Sequence, residues 1–242
     1  MDIKDRFLNF PIVLLKGFLD NHKECLDNIF FYAVFEMVFS EKAKFKSIGE
    51  FQNEFEFYFD SDLITEIQKH GKGLFDLYNG VKCARTGLHF NSFVDFRKPK
   101  KEFDLVCLLL FLALKSIVQT KPYANAKDAL ILSRMAGYSK VVSDIPENIA
   151  YWMKTGSRRR PKVFNELEKY FKLVKANSAR GTTFSINKLT QEQLEFTILQ
   201  KGDQKSDREM NEKKRKAKEE AKRRFEEWRK GKKGDSENNN QN

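Results

Sequence analysis

The sequence predicts a mainly α protein: a helical N-terminal region, a helical domain that ends in a β-hairpin, and a charged helical tail. Three observations lead there. Apolar residues recur at spacings of three and four over much of the first 170 residues, the period of an amphipathic helix. Residues 105–114, LVCLLLFLAL, form an unbroken apolar run of ten. Between 171 and 187 the period drops to two on either side of a turn cluster, Asn177–Gly181, which is the mark of a hairpin.

Taken in order, Pro11–Asp20 reads as a helix, with Ile12, Leu15 and Leu19 at helical spacing and Pro11 suited to the first turn. The next helix carries Cys25, Ile29, Tyr32, Ala33 and Glu36 on one period. Leu26, Phe30 and Val34 widen its apolar face, so most of its circumference is expected to be buried. The stretch 51–59, FQNEFEFYF, suits a strand or a helix, and Glu54, Glu56, Asp60 and Asp62 read as its solvent face rather than a cation site. Ser61 is expected to cap a helix bearing Leu63, Ile64 and Ile67, which Gly71 and Gly73 would end. Residues 79–101 read as a connector, with Gly80, Gly87, Pro99 and a KPKK run.

The apolar run lies in a helix expected from about Glu102 to Gln119. A membrane span needs about 20 such residues, so this is a central core helix. Asn125 is expected to cap a helix over 126–136, with Gly137 just past its end. A short segment, ENIAYWM, follows. Pro161 then opens a helix whose apolar face is Val163, Phe164, Leu167, Tyr170 and Phe171, with Arg160 extended before the proline. From Gly202 the chain is polar, with acidic residues four positions before basic ones. That pattern predicts a lone solvated helix from about Asp207 to Arg229, with Ala217, Ala221, Phe225 and Trp228 on one face, and a disordered end. The regions are therefore 1–100, 102–190 and 201–242.

Charge is unevenly spread. Lys and Arg number 45 against 34 Asp and Glu, net +11. Residues 1–149 contribute none of this, residues 150–190 contribute +8, and residues 201–242 contribute +5. A neutral body with a basic segment is the electrostatic footprint of a polyanion-binding protein. Cys25, Cys83 and Cys107 form no CxxC or Cys/His pair, which suits a reducing, cytoplasmic compartment without structural zinc. Asp2 and Asp5 precede the short apolar stretch near the N-terminus, so no secretory signal is expected. KKRK at 213–216 would serve as a nuclear address in a eukaryote. His22, His70 and His89 stand apart, and HGKG at 70–73 lacks phosphate-loop spacing. No catalysis, cofactor, metal or small-molecule ligand is expected.

The order core helix (102–119), helix (126–136), helix (161–172), hairpin (172–187) resembles the winged helix-turn-helix family over residues 102–190. In that family the last helix enters the major groove and the wing touches a neighbouring phosphate or the minor groove. The resemblance implies that Lys162, Asn165 and Lys169, at i, i+3 and i+7, face outward opposite Val163, Phe164 and Leu167. It places Arg158, Arg159 and Arg160 at the approach to that helix, where guanidinium forks take phosphates or a guanine edge. Lys175 and Arg180 would serve the wing, with Arg180–Gly181 at its tip. One departure is the 23 residues between Gly137 and Pro161. If Asn148–Lys154 within them is the third helix, Tyr151 and Lys154 become the readers and the arginines sit on a following loop.

The expected function is sequence-specific DNA binding without enzymatic activity, of the kind found in replication initiators and regulators of plasmids and other mobile elements. Duplex DNA is favoured over RNA, and the N-terminal region would supply dimerisation or a partner surface. Competing classes are a protein-interaction scaffold and an RNA-binding accessory factor that grips a phosphate backbone. Under the DNA expectation, Arg158 and Arg160 can be replaced without loss of stability.

Overall fold

Strand β1 (Phe7–Pro11) is the first element of the computed structural model, which describes residues 6–41, 43–178 and 181–238. The helix expected over Pro11–Asp20 does not form. Pro11 closes the strand, one 3-10 turn covers Ile12–Leu15, and Gly17 at φ +70° redirects the chain before a helix can propagate. β1 pairs antiparallel with β2 (Arg85–His89), Phe7 opposite His89 and Pro11 opposite Arg85. Leu8 and Phe10 are fully buried.

Helix α1 (His22–Val38) starts at Asn21, whose side chain accepts from the Glu24 N–H. Its burial runs round most of the helix, including Leu26, Ile29, Tyr32, Ala33 and Val34, as its sequence implies. Helix α2 (Ile48–Phe55) resolves the Phe-rich stretch: Phe51 and Phe55, four apart, stack at 4.1 Å between centroids. Helix α3 (Ser61–Glu66) is capped by Asp60, not Ser61, through a 2.7 Å bond from Leu63 N. It continues through a π-turn at Ile67–Gly71 into α4 (Lys72–Tyr78), so Gly71 and Gly73 do not break it. Gly71 is needed for another reason. A Cβ there would lie 2.5 Å from the Phe31 carbonyl oxygen and 2.8 Å from Phe35 Cβ, so the glycine permits close packing on α1.

The expected connector at 79–101 instead contains β2 and helix α5 (Phe90–Phe96). Helix α6 (Glu102–Val118) is buried on nearly every side and holds β2 at its flank. Thr86 Oγ1 donates to the Leu112 carbonyl at 2.9 Å, and Lys115 Nζ donates to the Gly87 carbonyl at 2.8 Å.

Asn125 caps no helix. It lies in strand β3 (Ala124–Ala126), and helix α7 (Asp128–Met135) begins after Lys127. Gly137, at φ +80° with a would-be Cβ 2.7 Å from Lys16 Cγ, ends that helix against the N-terminal segment. Helix α8 (Glu147–Met153) occupies the long intervening stretch, and Trp152 Nε1 donates to Glu102 Oε1 at 2.8 Å, fastening it to the start of α6. Helix α9 (Arg159–Tyr170) follows, then β4 (Leu173–Ser178) and β5 (Gly181–Ile186). The hairpin is joined by β3 in an antiparallel sheet of order β3-β5-β4.

Helix α10 (Gln191–Asn238) starts earlier and runs further than the expected span of Asp207–Arg229. Its start is a reciprocal cap: Thr190 Oγ1 accepts from Gln193 N, and Gln193 Oε1 accepts from Thr190 N at 3.0 Å. Ion pairs Glu212–Lys216 and Glu220–Arg224 form at the anticipated spacing. The side chains of Ala221, Phe225 and Trp228, and residues 239–242, lie outside the described residues.

The chain is 60% helical, with small sheets of two and three strands, a mainly α architecture. It divides into two units, 1–194 and 195–242. No helix of the described residues is long and apolar enough to cross a membrane.

Candidate nucleic-acid interface

Helix α9 owes its orientation to three buried side chains. Val163, Phe164 and Leu167 sink into the core, and Phe164 stacks on Phe184 of β5 at 6.0 Å with planes 11° apart. The opposite side is thereby turned to solvent. Arg158, Lys162, Asn165 and Lys169 are all exposed. Their spacings of four, three and four put them within about 60° of one another around a helix, and about 16 Å from end to end. Glu166 and Glu168 flank this stripe, and Glu168 is engaged by Lys175 at 2.6 Å. Arg158 and Lys162 make no ion pair among the described residues. Lys169 lies 4.6 Å from the Tyr170 ring centroid, and its hydrogen bond to Tyr170 raises its pKa.

The three consecutive arginines divide. Arg158 precedes α9 and is exposed. Arg159 is inside the helix and lies 3.6 Å from the centroid of the Tyr151 ring, which is itself 52% exposed. Arg160 is helical rather than extended, and it turns inward. Its guanidinium grips Asp128 of α7 with both nitrogens, at 2.7 and 2.5 Å, and donates to Thr155 Oγ1 at 3.0 Å. The Arg160–Asp128 hydrogen bonds hold the Asp128 carboxyl below its ordinary pKa. Arg160 is thus a clamp between α7 and α9 and is not available to a ligand.

Lys175 also differs from expectation. Beyond its pair with Glu168 it lies 4.9 Å from the Phe164 ring centroid, so it braces β4 on α9. Arg180 lies outside the described residues. Tyr170, expected on the apolar face, is 61% exposed at the last position of α9. Tyr151 of α8 and Lys154 just after it are both exposed, and Tyr151 lies against Arg159. The inward turn of Arg160 has no local signal, since Asp128 stands 32 residues away.

Burial pushes the Cys25 thiol up to about 11 and the Cys107 thiol to about 12, and a thiol so raised is a poor nucleophile at neutral pH. Among the described residues no group of three His, Cys, Asp or Glu side chains is placed to hold a metal ion. Comparison of the chain with protein-family models, with curated proteins and with solved structures returns no match.

Proposed function

We propose that this protein binds duplex DNA, with α9 lying in the major groove. The observation that carries it is the exposed stripe Arg158, Lys162, Asn165 and Lys169, set opposite the buried face of α9. The major groove, about 12 Å wide, admits one α-helix. In it the two lysines and Arg158 neutralise phosphates, and Asn165 is the side chain able to pair bidentately with an adenine edge. The element order α6-β3-α7-α8-α9-β4-β5, with β3 on the hairpin, supports the winged-helix likeness and makes β4–β5 the wing. Such a protein would act as a transcriptional or replication regulator of the mobile-element kind.

The test is fluorescence anisotropy with duplex DNA at low salt. Lys162→Ala with Lys169→Ala should weaken binding on every sequence and reduce the salt slope by about 2, since each neutralised phosphate contributes about 0.9. Asn165→Ala should relax sequence preference, costing about 1–3 kcal/mol on the best site. Failure of the folded full chain to bind any duplex at about 50 mM salt overturns the proposal. A second possibility, single-stranded RNA, is favoured by the exposed Tyr151 ring beside Arg159, since such rings stack unpaired bases. Tighter binding to single-stranded RNA than to duplex DNA would select it.

A further inference from the structure

A cleft of about 980 Å³ opens on unit 1–194, and its lining includes none of the α9 stripe residues, though it begins at Tyr170, the neighbour of Lys169. Its walls come from β1, the end of α1, α6 and the two corners that flank β4 and β5. Four lysines line it, Lys44, Lys115, Lys172 and Lys188, against one carboxylate, Glu36. That carboxylate is already engaged, because Arg85 of β2 donates to it. The described lining therefore carries an excess of positive charge, with Lys115 Nζ donating to the Gly87 carbonyl and Lys188 Nζ to the Thr120 and Lys121 carbonyls. Lys44, Lys172 and Lys188 are exposed, and Lys172 meets no carboxylate among the described residues.

Aromatic rings share the lining. Phe111 of α6 meets Phe171 at 4.4 Å between centroids, Phe7 lies under Lys115 at 3.7 Å, and Tyr170 stands at the rim. Ring faces beside lysine ammonium groups suit a ligand with a flat aromatic part and an anionic part. The backbone adds an independent sign. Of four non-glycine described residues with positive φ, three line this cleft: Gln119 at +51°, Lys172 at +49° and Asn187 at +53°. L side chains rarely adopt that conformation, and it clusters at ligand sites. Each of the three ends an element, Gln119 after α6, Lys172 after α9 and Asn187 after β5.

We propose that this cleft binds a nucleotide, its base against the Phe111, Phe171 and Tyr170 rings and its phosphates among Lys44, Lys172 and Lys188. The proposal stands apart from the DNA-binding one, since the cleft contains none of the stripe residues. It also places a ligand against Tyr170 and Lys172, at the very end of α9.

Isothermal titration of the full chain with ATP, tripolyphosphate and adenosine tests it. ATP should bind at one site per chain, and each half-ligand at least roughly tenfold more weakly. Lys172→Asn removes the charge while keeping a residue that tolerates left-handed backbone, and it should weaken ATP binding about fivefold or more, with Lys44→Gln adding to the loss. Arg158→Ala with Lys162→Ala should leave ATP binding unchanged, since neither residue lines the cleft. The proposal is overturned if ATP shows no binding at about 1 mM to folded protein. It is equally overturned if tripolyphosphate binds as tightly as ATP, if Lys172→Asn and Lys44→Gln, both folded, bind like the unaltered chain, or if the Arg158→Ala, Lys162→Ala double variant abolishes the ATP signal.

Discussion

Arg160 sits among three consecutive arginines, yet its guanidinium faces inward and bridges α9 to Asp128 of α7. The Arg160 side chain is 19% exposed and that of Asp128 44%, so water screens the pair only in part. Arg160→Ala should lower the unfolding free energy by about 1 kcal/mol, against the expectation that it is silent. The Tm should fall by about 2–4 °C. Because the folded state lowers the Asp128 pKa, this stabilisation is fully present above the ordinary carboxylate value of about 3.9 and is lost as pH falls through the folded-state value. Denaturation curves of the two proteins should therefore differ at pH 7 and converge in strong acid. A gap that persists undiminished at about pH 2 would mean another contact explains the loss. By contrast, Arg158→Ala should leave stability alone, since that side chain is exposed and outside any ion pair among the described residues.

At the scale of elements, Gly71 and Gly73 look alike as helix breakers but differ in surroundings. Gly71 packs on the α1 backbone, whereas an added Cβ at Gly73 meets nothing within 4 Å. Gly71→Ala should destabilise by about 1–3 kcal/mol through overpacking. Gly73→Ala should stabilise by about 0.5–1 kcal/mol, by removing the entropy penalty of glycine in a helix. Chemical denaturation of both variants checks the contrast, and equal effects would refute it. The same pair shows what is legible in a sequence. α6 is legible because ten consecutive apolar residues admit few other placements, and the β4–β5 hairpin because its partners are local and its period is two. β1 and β2 are not legible. Phe7–Pro11 is too short to fix a period, and its partner lies 74 or more residues away. Asn125 shows the same limit: an apt capping residue is drawn into a strand because Thr183 of β5 sits opposite it. Within the site, the outward stripe on α9 follows from helical period alone. The internal commitments of Arg160 and Lys175 depend on acidic partners that only the fold brings near.

For the whole molecule, the two units carry charge differently. In unit 195–242 every described side chain from 210 to 220 is exposed, and ion pairs run along the helix. Such a helix adds positive field without adding core. Deleting residues 203–242 should leave the Tm within about 2 °C. It should weaken DNA binding at low salt and reduce the salt slope, while the order of preference among DNA sequences is kept. Loss of all affinity in a truncated chain that remains folded would move the binding site from α9 to the tail. Unit 1–194, in turn, draws the N-terminal ribbon and the helix-hairpin region onto one core around α6, since Leu8, Phe10, Val106, Leu109 and Leu167 are all fully buried.

The ladder between β3 and β5 sets Ala124 opposite Phe184 and Ala126 opposite Thr182. Everything between those residues, namely α7, α8, α9 and β4, is thereby enclosed in a single chain loop. A helix held this way has no private route to melting. Loosening α9 strips Phe184 of its stacking partner, so the amide hydrogens of α9 and β5 should exchange with solvent as one cooperative unit when hydrogen exchange is measured. The stiffness of α9 and the stiffness of the hairpin are, in this protein, one property.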